Sequence, residues 1–509
     1  MYIYKTKGVV MLSFLNKFYN ILTLRQESIH GEPLFFHNGT NSTRFYLNDP
    51  TTPQLINEQD ATFKTALPIS SLNDKGGGFE LGSLQQQASA CSIMINNILS
   101  YMMVAYKTSG PLKTISKWAA TNNLAIKSRA GVDINAYYDR KSLKFFYFKD
   151  TVKNKTVYAC DSNSVVSHEF GHAFLDIMRP DFWSTQAPEI WAYHEAFGDI
   201  TALIASLQYD SLINCALEET KGNMMQSNVI SRLASEMGIG LNNVSRDKDP
   251  GRNCLRDLST VFVYQTPESL PKSGPESMLI NECHSFSRVF SGAFYEILIL
   301  INKHHIALGR SPLDAMKISR DVMARYLLKA TAAVPVTVRL FDALSRQILQ
   351  VDQSEGGKYQ DIIKDVFTRR KILIQRILML DNANIDSVKK TISDNPYELH
   401  LLNKNKLLRT ISKKTINLSK MDKKISILSN NPLLKLDIDV PSETGYYFDE
   451  NNMLFDVVET TNEEMITAAY DCLEFLDKKH LVGSHGNALF EIKHGKLIRK
   501  QIVCRCGGA

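Results

Sequence analysis

His168 and His172, with Glu169 between them, stand in the stretch Ser164–Pro180, SVVSHEFGHAFLDIMRP. On an α-helix, side chains four apart lie about 40° from each other around the axis, so both imidazoles can close on one zinc ion. The glutamate then stands beside the metal, where a base acting on a bound water has to be. The helix itself is well signalled. Asn163 or Ser164 can cap it, and Val166, Phe170, Ala173 and Ile177 recur at helical spacing opposite the histidines. Arg179-Pro180 is expected to stop it.

A His₂ site of this kind needs a third protein ligand, and a carboxylate is the usual one. After a loop, DFWSTQA, Pro188 is placed to open a second helix, PEIWAYHEAFGDITALIASL. Glu195 and Asp199 fall four apart on one face of it, with Phe197, Ile200 and Ile204 on the other. Two carboxylates turned inward together are costly unless they meet positive charge. Glu195 is therefore read as the metal ligand and Asp199 as a hydrogen-bonding partner of a ligand histidine. A solvent-facing acidic pair is the alternative, and Trp191 and Ala202 on either side speak against it.

The elements that must position these groups follow from pattern. Residues 25 to about 85 are rich in turn formers (HNGTNST, LNDPTTPQ, NDKGGG) and read as short strands and loops. Lys75-Gly76-Gly77-Gly78 lacks the remainder of a phosphate loop and reads as a turn, and the sequons at Asn38 and Asn41 carry little weight without a secretory signal. From Gln85 to about Lys107, Ala90, Ile93, Met94, Ile98, Met102 and Ala105 mark a long one-sided helix. GVDINAYY and LKFFYF, around a polar turn at Asp139–Ser142, form a strand pair just before the histidine helix. The open edge of such a strand could hold an extended peptide, or the pair could simply cover the core.

At 509 residues with 44% hydrophobic and 22% charged content, the chain is long enough for two to four domains with a large core. A net charge of +6 is too mild to imply nucleic acid, and no motif for it occurs. The eight cysteines are scattered like reduced thiols, and the terminal Cys504-x-Cys506 lacks a second pair to hold a metal. No run of about eighteen apolar residues stands out, so no transmembrane anchor is expected. Met1–Leu24 makes a poor signal peptide, because Asn16 and Lys17 break its apolar run; Met11 is an alternative start. The chain is expected to be cytoplasmic, or exported without a Sec signal as an effector delivered to another cell.

HEFGH followed by HEAFGD resembles the gluzincins, and within them the thermolysin-like zinc metalloendopeptidases, over roughly residues 85–373. The resemblance implies one catalytic zinc ion held by His168, His172 and Glu195, with Glu169 as base and Asp199 behind the ligands. It also implies that Asn135, Ala136 and Tyr137 form an edge strand that holds the substrate. Arg256, in GRNCLRDLS, matches an arginine that braces the site near the third ligand. His284, in ECHSFSRVFSGAFYEIL, matches the second catalytic histidine, and Ser287, Ser291, Ala293 and Tyr295 echo the helix after it.

The implied fold is α+β and two-lobed. It comprises an N-terminal β-rich extension (1–84), an N-lobe with the edge strand and HExxH helix (85–185), and a helical C-lobe (186–375). Beyond the resemblance, 380–509 reads as an added α+β domain. Its strands are LLKLDIDV, MLFDVVET, ALFEIKHGK and LIRKQIVC, with a helix around Glu463–Lys479, turns at Asn430-Asn431 and Asn451-Asn452, and a basic strip within Asn405–Lys424. Ser311 before Pro312, with Asp314 three residues on, marks a helix start within the C-lobe.

Three departures from the family pattern stand out. His194 replaces an asparagine before the third ligand, so the contact behind the ligands is altered there. Trp183 and Gln186 stand where a tyrosine would serve the oxyanion. Leu279 occupies the place of the acid that orients the second histidine, leaving Glu282 or Glu276 as substitutes. The implied activity is hydrolysis of a protein or peptide substrate, in which Glu169 takes the proton of a zinc-activated water and His284, with Arg256, steadies the oxyanion. The alternatives are a zinc-binding pseudo-protease acting as an interaction scaffold, or a non-peptidase zinc hydrolase. Calcium is not predicted, and the sequence assigns no oligomeric state.

Overall fold

The structure is a computed structural model and describes residues 44–51, 55–57, 69–71, 79–108, 117–245, 249, 251–373, 407–410, 414–417, 437–448, 454–458, 460–478, 481–483 and 488–504. The sequons, the glycine run at 76–78, Met1–Leu24, the asparagine-pair turns, Cys506 and most of the basic strip lie outside these residues.

The N-terminal part supplies three short strands, β1 (Arg44–Tyr46), β2 (Leu55–Asn57) and β3 (Ile69–Ser71). The first long helix, α1 (Leu84–Thr108), follows. By length and composition alone α1 could cross a membrane. In this fold it is a core helix, with Cys91, Ile95, Ile98, Leu99 and Met102 fully buried. Next come β4 (Leu124–Lys127), β5 (Ala136–Tyr138), β6 (Ser142–Phe145) and the hairpin β7 (Tyr147–Asp150) and β8 (Lys155–Tyr158). The Asp139 carboxylate closes the turn between β5 and β6, accepting hydrogen bonds from the Lys141 and Ser142 backbone N–H groups.

Helix α2 (Asn163–Met178) carries the two histidines. Its first turn is preceded by Ser162, and no side chain caps it, contrary to the expectation for Asn163 or Ser164. Both of those side chains are used in tertiary contacts instead. Asn163 Nδ2 donates to Leu47 O, and Ser164 Oγ accepts from Ala234 N. Only Ile177 of the sixteen residues escapes full burial, so α2 is a central helix rather than a one-faced surface helix.

The expected loop after Arg179 contains a short helix, α3 (Pro180–Ser184), because Pro180 fits the first helical position. Arg179 itself is buried. Its guanidinium donates to Thr331 O and Val334 O and pairs with Asp181. Helix α4 (Pro188–Ser206) carries Glu195 and lies against α2. The chain continues through α5 (Asp210–Glu219), β9 (Arg232–Leu233), α6 (Ser235–Val244) and β10 (Arg256–Asp257). Four helices follow: α7 (Cys283–Ala307), α8 (Pro312–Ala333), α9 (Leu340–Ser354) and α10 (Gln360–Arg369). Ser311 caps α8, its side chain accepting from Asp314 N.

The remainder supplies β11 (Leu407–Thr410), β12 (Lys414–Asn417), β13 (Asp437–Val440), β14 (Thr444–Phe448), β15 (Leu454–Val458) and α11 (Asn462–Lys478). The last strands are β16 (Phe490–Lys493), β17 (Lys496–Arg499) and β18 (Ile502–Cys504). Two sheets are built here, in the orders β11-β14-β15 and β12-β13-β17-β16. A second hydrophobic cluster, of Ile438, Val440, Leu473, Leu476, Phe490 and Leu497, is completed by Trp191 from α4. The C-terminal segment is thus packed on the helix that bears Glu195.

One topological feature differs from the sequence expectation. LIRKQIVC is not one strand. Lys500 N donates to Leu489 O, β17 ends at Arg499, and the chain crosses to another sheet. That sheet runs β18-β5-β6-β4-β3, and β18 pairs antiparallel with β5, Ile502 opposite Tyr138, Val503 opposite Tyr137 and Cys504 opposite Ala136. The edge expected to be open is therefore occupied by the chain's own C-terminal strand.

Candidate metal centre

Two glycines let the histidine helix and the glutamate helix meet. A Cβ on Gly171 would stand 2.9 Å from the Cα of Gly198, and one on Gly198 would stand 2.7 Å from His168 Cε1. Side chains on α2 and α4 consequently converge across a very short gap. His168 Nε2 lies 3.3 Å from Glu195 Oε2, and His172 Nε2 lies 3.7 Å from Glu195 Oε1. The two imidazoles are 4.7 Å apart and nearly perpendicular, at 89°. A tetrahedral zinc with bonds of about 2.0–2.1 Å requires ligand-to-ligand distances of about 3.3–3.4 Å. Two imidazole nitrogens and a carboxylate at these separations fit zinc in donor type and in spacing.

The partners behind the ligands are also in place. His168 Nδ1 lies 2.9 Å from Asp199 Oδ1, which directs Nδ1–H to the carboxylate and turns the Nε2 lone pair toward Glu195. Asp199 is completely buried, and its charge is matched by Arg256, whose Nε donates to Oδ1 at 2.8 Å and Oδ2 at 3.0 Å. Arg256 Nη2 also lies 3.2 Å from His168 Nδ1. This arginine therefore sits on the Nδ1 side of His168, away from the Nε2 that faces Glu195. His194 is buried with its ring 6.0 Å from that of His172. Burial, the Arg499 charge and His172 hold its pKa well below the usual imidazole value, which keeps it neutral.

Glu169 is fully buried, and one of its carboxylate oxygens lies within 4.8 Å of a ring nitrogen of His168 and of His172. That is the reach of a carboxylate to a water between them. His284, at the start of α7, brings Nε2 to 3.3 Å from Glu195 Oε2. Its Nδ1 lies 2.5 Å from Glu282 Oε1, so Glu282 is the acid that orients it; Glu276 pairs with Arg252 instead. Burial raises the Glu195 carboxyl, but His284, His172 and His168 outweigh it and hold the pKa at about 2. Burial likewise opposes the charged form of His284, yet Glu195 and Glu282 raise its pKa well above the usual value.

The strand residues lie in β5 and just before it. Asn135 is buried, and its Nδ2 lies 3.3 Å from Asp133 Oδ2. Ala136 is fully buried. The Tyr137 hydroxyl lies 3.0 Å from Lys144 Nζ. Trp183 and Gln186, the occupants of the tyrosine position, are engaged in holding the C-terminal segment. Trp183 Nε1 donates to Arg499 O at 3.3 Å, and Gln186 N donates to Asp439 O at 2.9 Å.

Sequence reasoning missed two features of this site. Gly171 and Gly198 set the helix approach, and their only signal is that each lies within a motif, HEFGH and EAFGD. Cys283 was counted among scattered thiols, although its Sγ, a Glu195 oxygen and a His284 nitrogen all lie within 4.8 Å of one another. Its adjacency to His284 was the available clue.

No protein-family model matches the chain, and no curated protein matches it. Among solved structures it is similar to the precursor of protealysin, a metalloproteinase from Serratia proteamaculans. The identity is 10%, the TM-score 0.33, and the match covers 67% of this chain and 90% of that one. A likeness this distant carries no argument from that protein to this one, and the functional reading rests on the residues described above.

Proposed function

We propose that the chain is a zinc-dependent metalloendopeptidase in which His168, His172 and Glu195 hold the metal and Glu169 is the catalytic base. The observation that carries the reading is the convergence of three buried zinc-type donors, from two helices, with the Glu169 carboxylate alongside. Zinc bound there supplies Lewis acidity toward a carbonyl and lowers the pKa of water.

The protein's own groups do the rest. Glu169 accepts the proton of the attacking water and returns it to the leaving amine. His284, oriented by Glu282 and with its Nε2 beside Glu195, steadies the developing oxyanion. Asp199 and Arg256 fix the tautomer and the orientation of His168. Asn135 and the backbone of Ala136 and Tyr137 align an extended peptide by main-chain hydrogen bonds. Asn135 Oδ1, buried and without a donor among the described residues, is a ready acceptor for a peptide N–H.

A cleavage profile of a whole proteome tests this, with wild type set beside Glu169→Gln. New N-termini generated by wild type alone are expected; identical profiles that persist when both chains end at Gln501, and so lack the strand on β5, overturn the peptidase reading. The second reading, a zinc-binding pseudo-protease scaffold, is favoured by one observation, the pairing of β18 on the substrate edge. It requires that zinc be retained while no peptide is cut under any condition that frees that edge.

A further inference from the structure

The segment from Arg499 to Cys504 runs from the side of α4 to β5. At its start, the Arg499 guanidinium lies 5.3 Å from the ring centre of Trp191, one turn before Glu195 on α4, and 5.3 Å from that of Phe490. Three residues later the chain is hydrogen-bonded to β5, the strand assigned to hold the substrate. The strand β5 is itself fastened to the histidine helix, because the Tyr138 hydroxyl donates to Asp176 Oδ2 and Arg140 pairs with the same carboxylate. One short stretch of backbone therefore joins the third ligand's helix to the substrate strand.

A strand added to a sheet edge uses main-chain N–H and C=O groups, which any extended peptide can supply. Two strands cannot occupy one edge. Resting on the peptidase reading, we propose that Ile502–Cys504 is a built-in pseudosubstrate, and that the full-length chain is latent until this strand leaves β5. The anchors of the segment are separate from the blocking strand. Trp183 Nε1 to Arg499 O, Gln186 N to Asp439 O and the Trp191 cluster hold the C-terminal part in place whether or not β18 is paired. The geometry thus allows local release of β18, which is paired with β5 over three residues, without undocking the rest.

Ile502→Pro and Val503→Pro test this in the full-length chain. Alternate residues of a strand turn their N–H groups to opposite edges, so one of the two substitutions removes a ladder bond and both clash with regular pairing. Glu169→Gln serves as the background for binding, so that the probe survives. The probe is a fluorescein-labelled peptide of the sequence 500–509 carrying Cys504→Ser and Cys506→Ser, its binding followed by anisotropy.

At least one proline variant is expected to bind the peptide roughly tenfold tighter than the unsubstituted chain, a difference of about 1.4 kcal/mol. It should also cleave casein faster when Glu169 is restored. Equal affinity in all three chains overturns the proposal, whatever happens to casein. Tighter binding with no cleavage supports occlusion by β18 and instead overturns the peptidase reading. Should a proline variant lose its near-ultraviolet circular dichroism, a chain ending at Gln501 provides the same comparison, because it lacks β18 and keeps every anchor named above.

Discussion

Gly198 and His168 touch so closely that a methyl group on the glycine would stand 2.7 Å from the imidazole Cε1 and 2.8 Å from Nδ1. The position of His168, the proposed metal ligand, is thus set by the absence of a side chain on the neighbouring helix.

Gly198→Ala is accordingly expected to displace His168. Overpacking of this kind costs about 1–3 kcal/mol of stability. The ligand shift should weaken zinc binding by about 10–100-fold, as loss of a group orienting a ligand does. Competition for zinc with a chelating dye measures it. Unchanged affinity would show that the contact is relieved without moving the imidazole.

Glu169→Gln and His168→Ala separate base from ligand. The first should keep one zinc per chain and lower kcat by about 10²–10⁴-fold, the range of general acid–base catalysis. The second should lose the metal. Elemental analysis of both purified proteins decides, and full zinc in His168→Ala would sink the ligand assignment.

Arg256 neutralises a carboxylate that water does not reach, so Arg256→Ala leaves the Asp199 charge buried without its guanidinium, beside the His168 imidazole. A stability loss of about 3–5 kcal/mol is expected, along with weaker zinc binding. Arg256→Lys should recover only part of either, because an ammonium cannot form the same fork. Urea melts and zinc titrations report the two effects separately. A variant that loses activity but neither stability nor zinc affinity would place Arg256 in direct contact with the reaction.

Asp161, beside the start of the histidine helix, gives a pH signature away from the metal. Burial, reinforced by Glu236 and opposed by Gln87, Lys155 and Arg129, pushes its carboxyl up to about 7. Because the folded pKa lies above the unfolded one, the native state holds this proton longer. Stability from this group is complete below about pH 4 and is lost as pH rises toward 7. Asp161→Asn removes the penalty, so the variant should gain on the order of 1–3 kcal/mol over wild type at pH 8 and nothing at pH 4. Denaturant melts at the two pH values check it. A gain of equal size at both would mean that the effect is not ionisation.

Much of the site could be read along the chain because its parts are local. His168, Glu169 and His172 depend only on the helical repeat, and Glu195 and Asp199 repeat that spacing on the next helix. Helix starts expected from proline and serine signals, Pro188 opening α4 and Ser311 capping α8, are found there. Where expectation failed, a tertiary contact outbid a local preference. Asn163 and Ser164 would cap α2 in isolation, but Leu47 O and Ala234 N claim their side chains. Glu282 and Glu276 were equivalent candidates to orient His284 until the start of α7 brought one beside the imidazole and Arg252 took the other.

By itself the sequence determined the donor types, their helical spacing and hence the kind of metal chemistry open to the chain, since these follow from side-chain chemistry and a fixed 3.6-residue repeat. Only the tertiary structure decided how near the two helices come, which acid serves which histidine, and that β18 lies on β5. The reason is physical. Backbone pairing at a sheet edge is almost indifferent to side chains, and the approach of two helices depends on atoms distant in the chain, so neither leaves a periodic trace along the sequence.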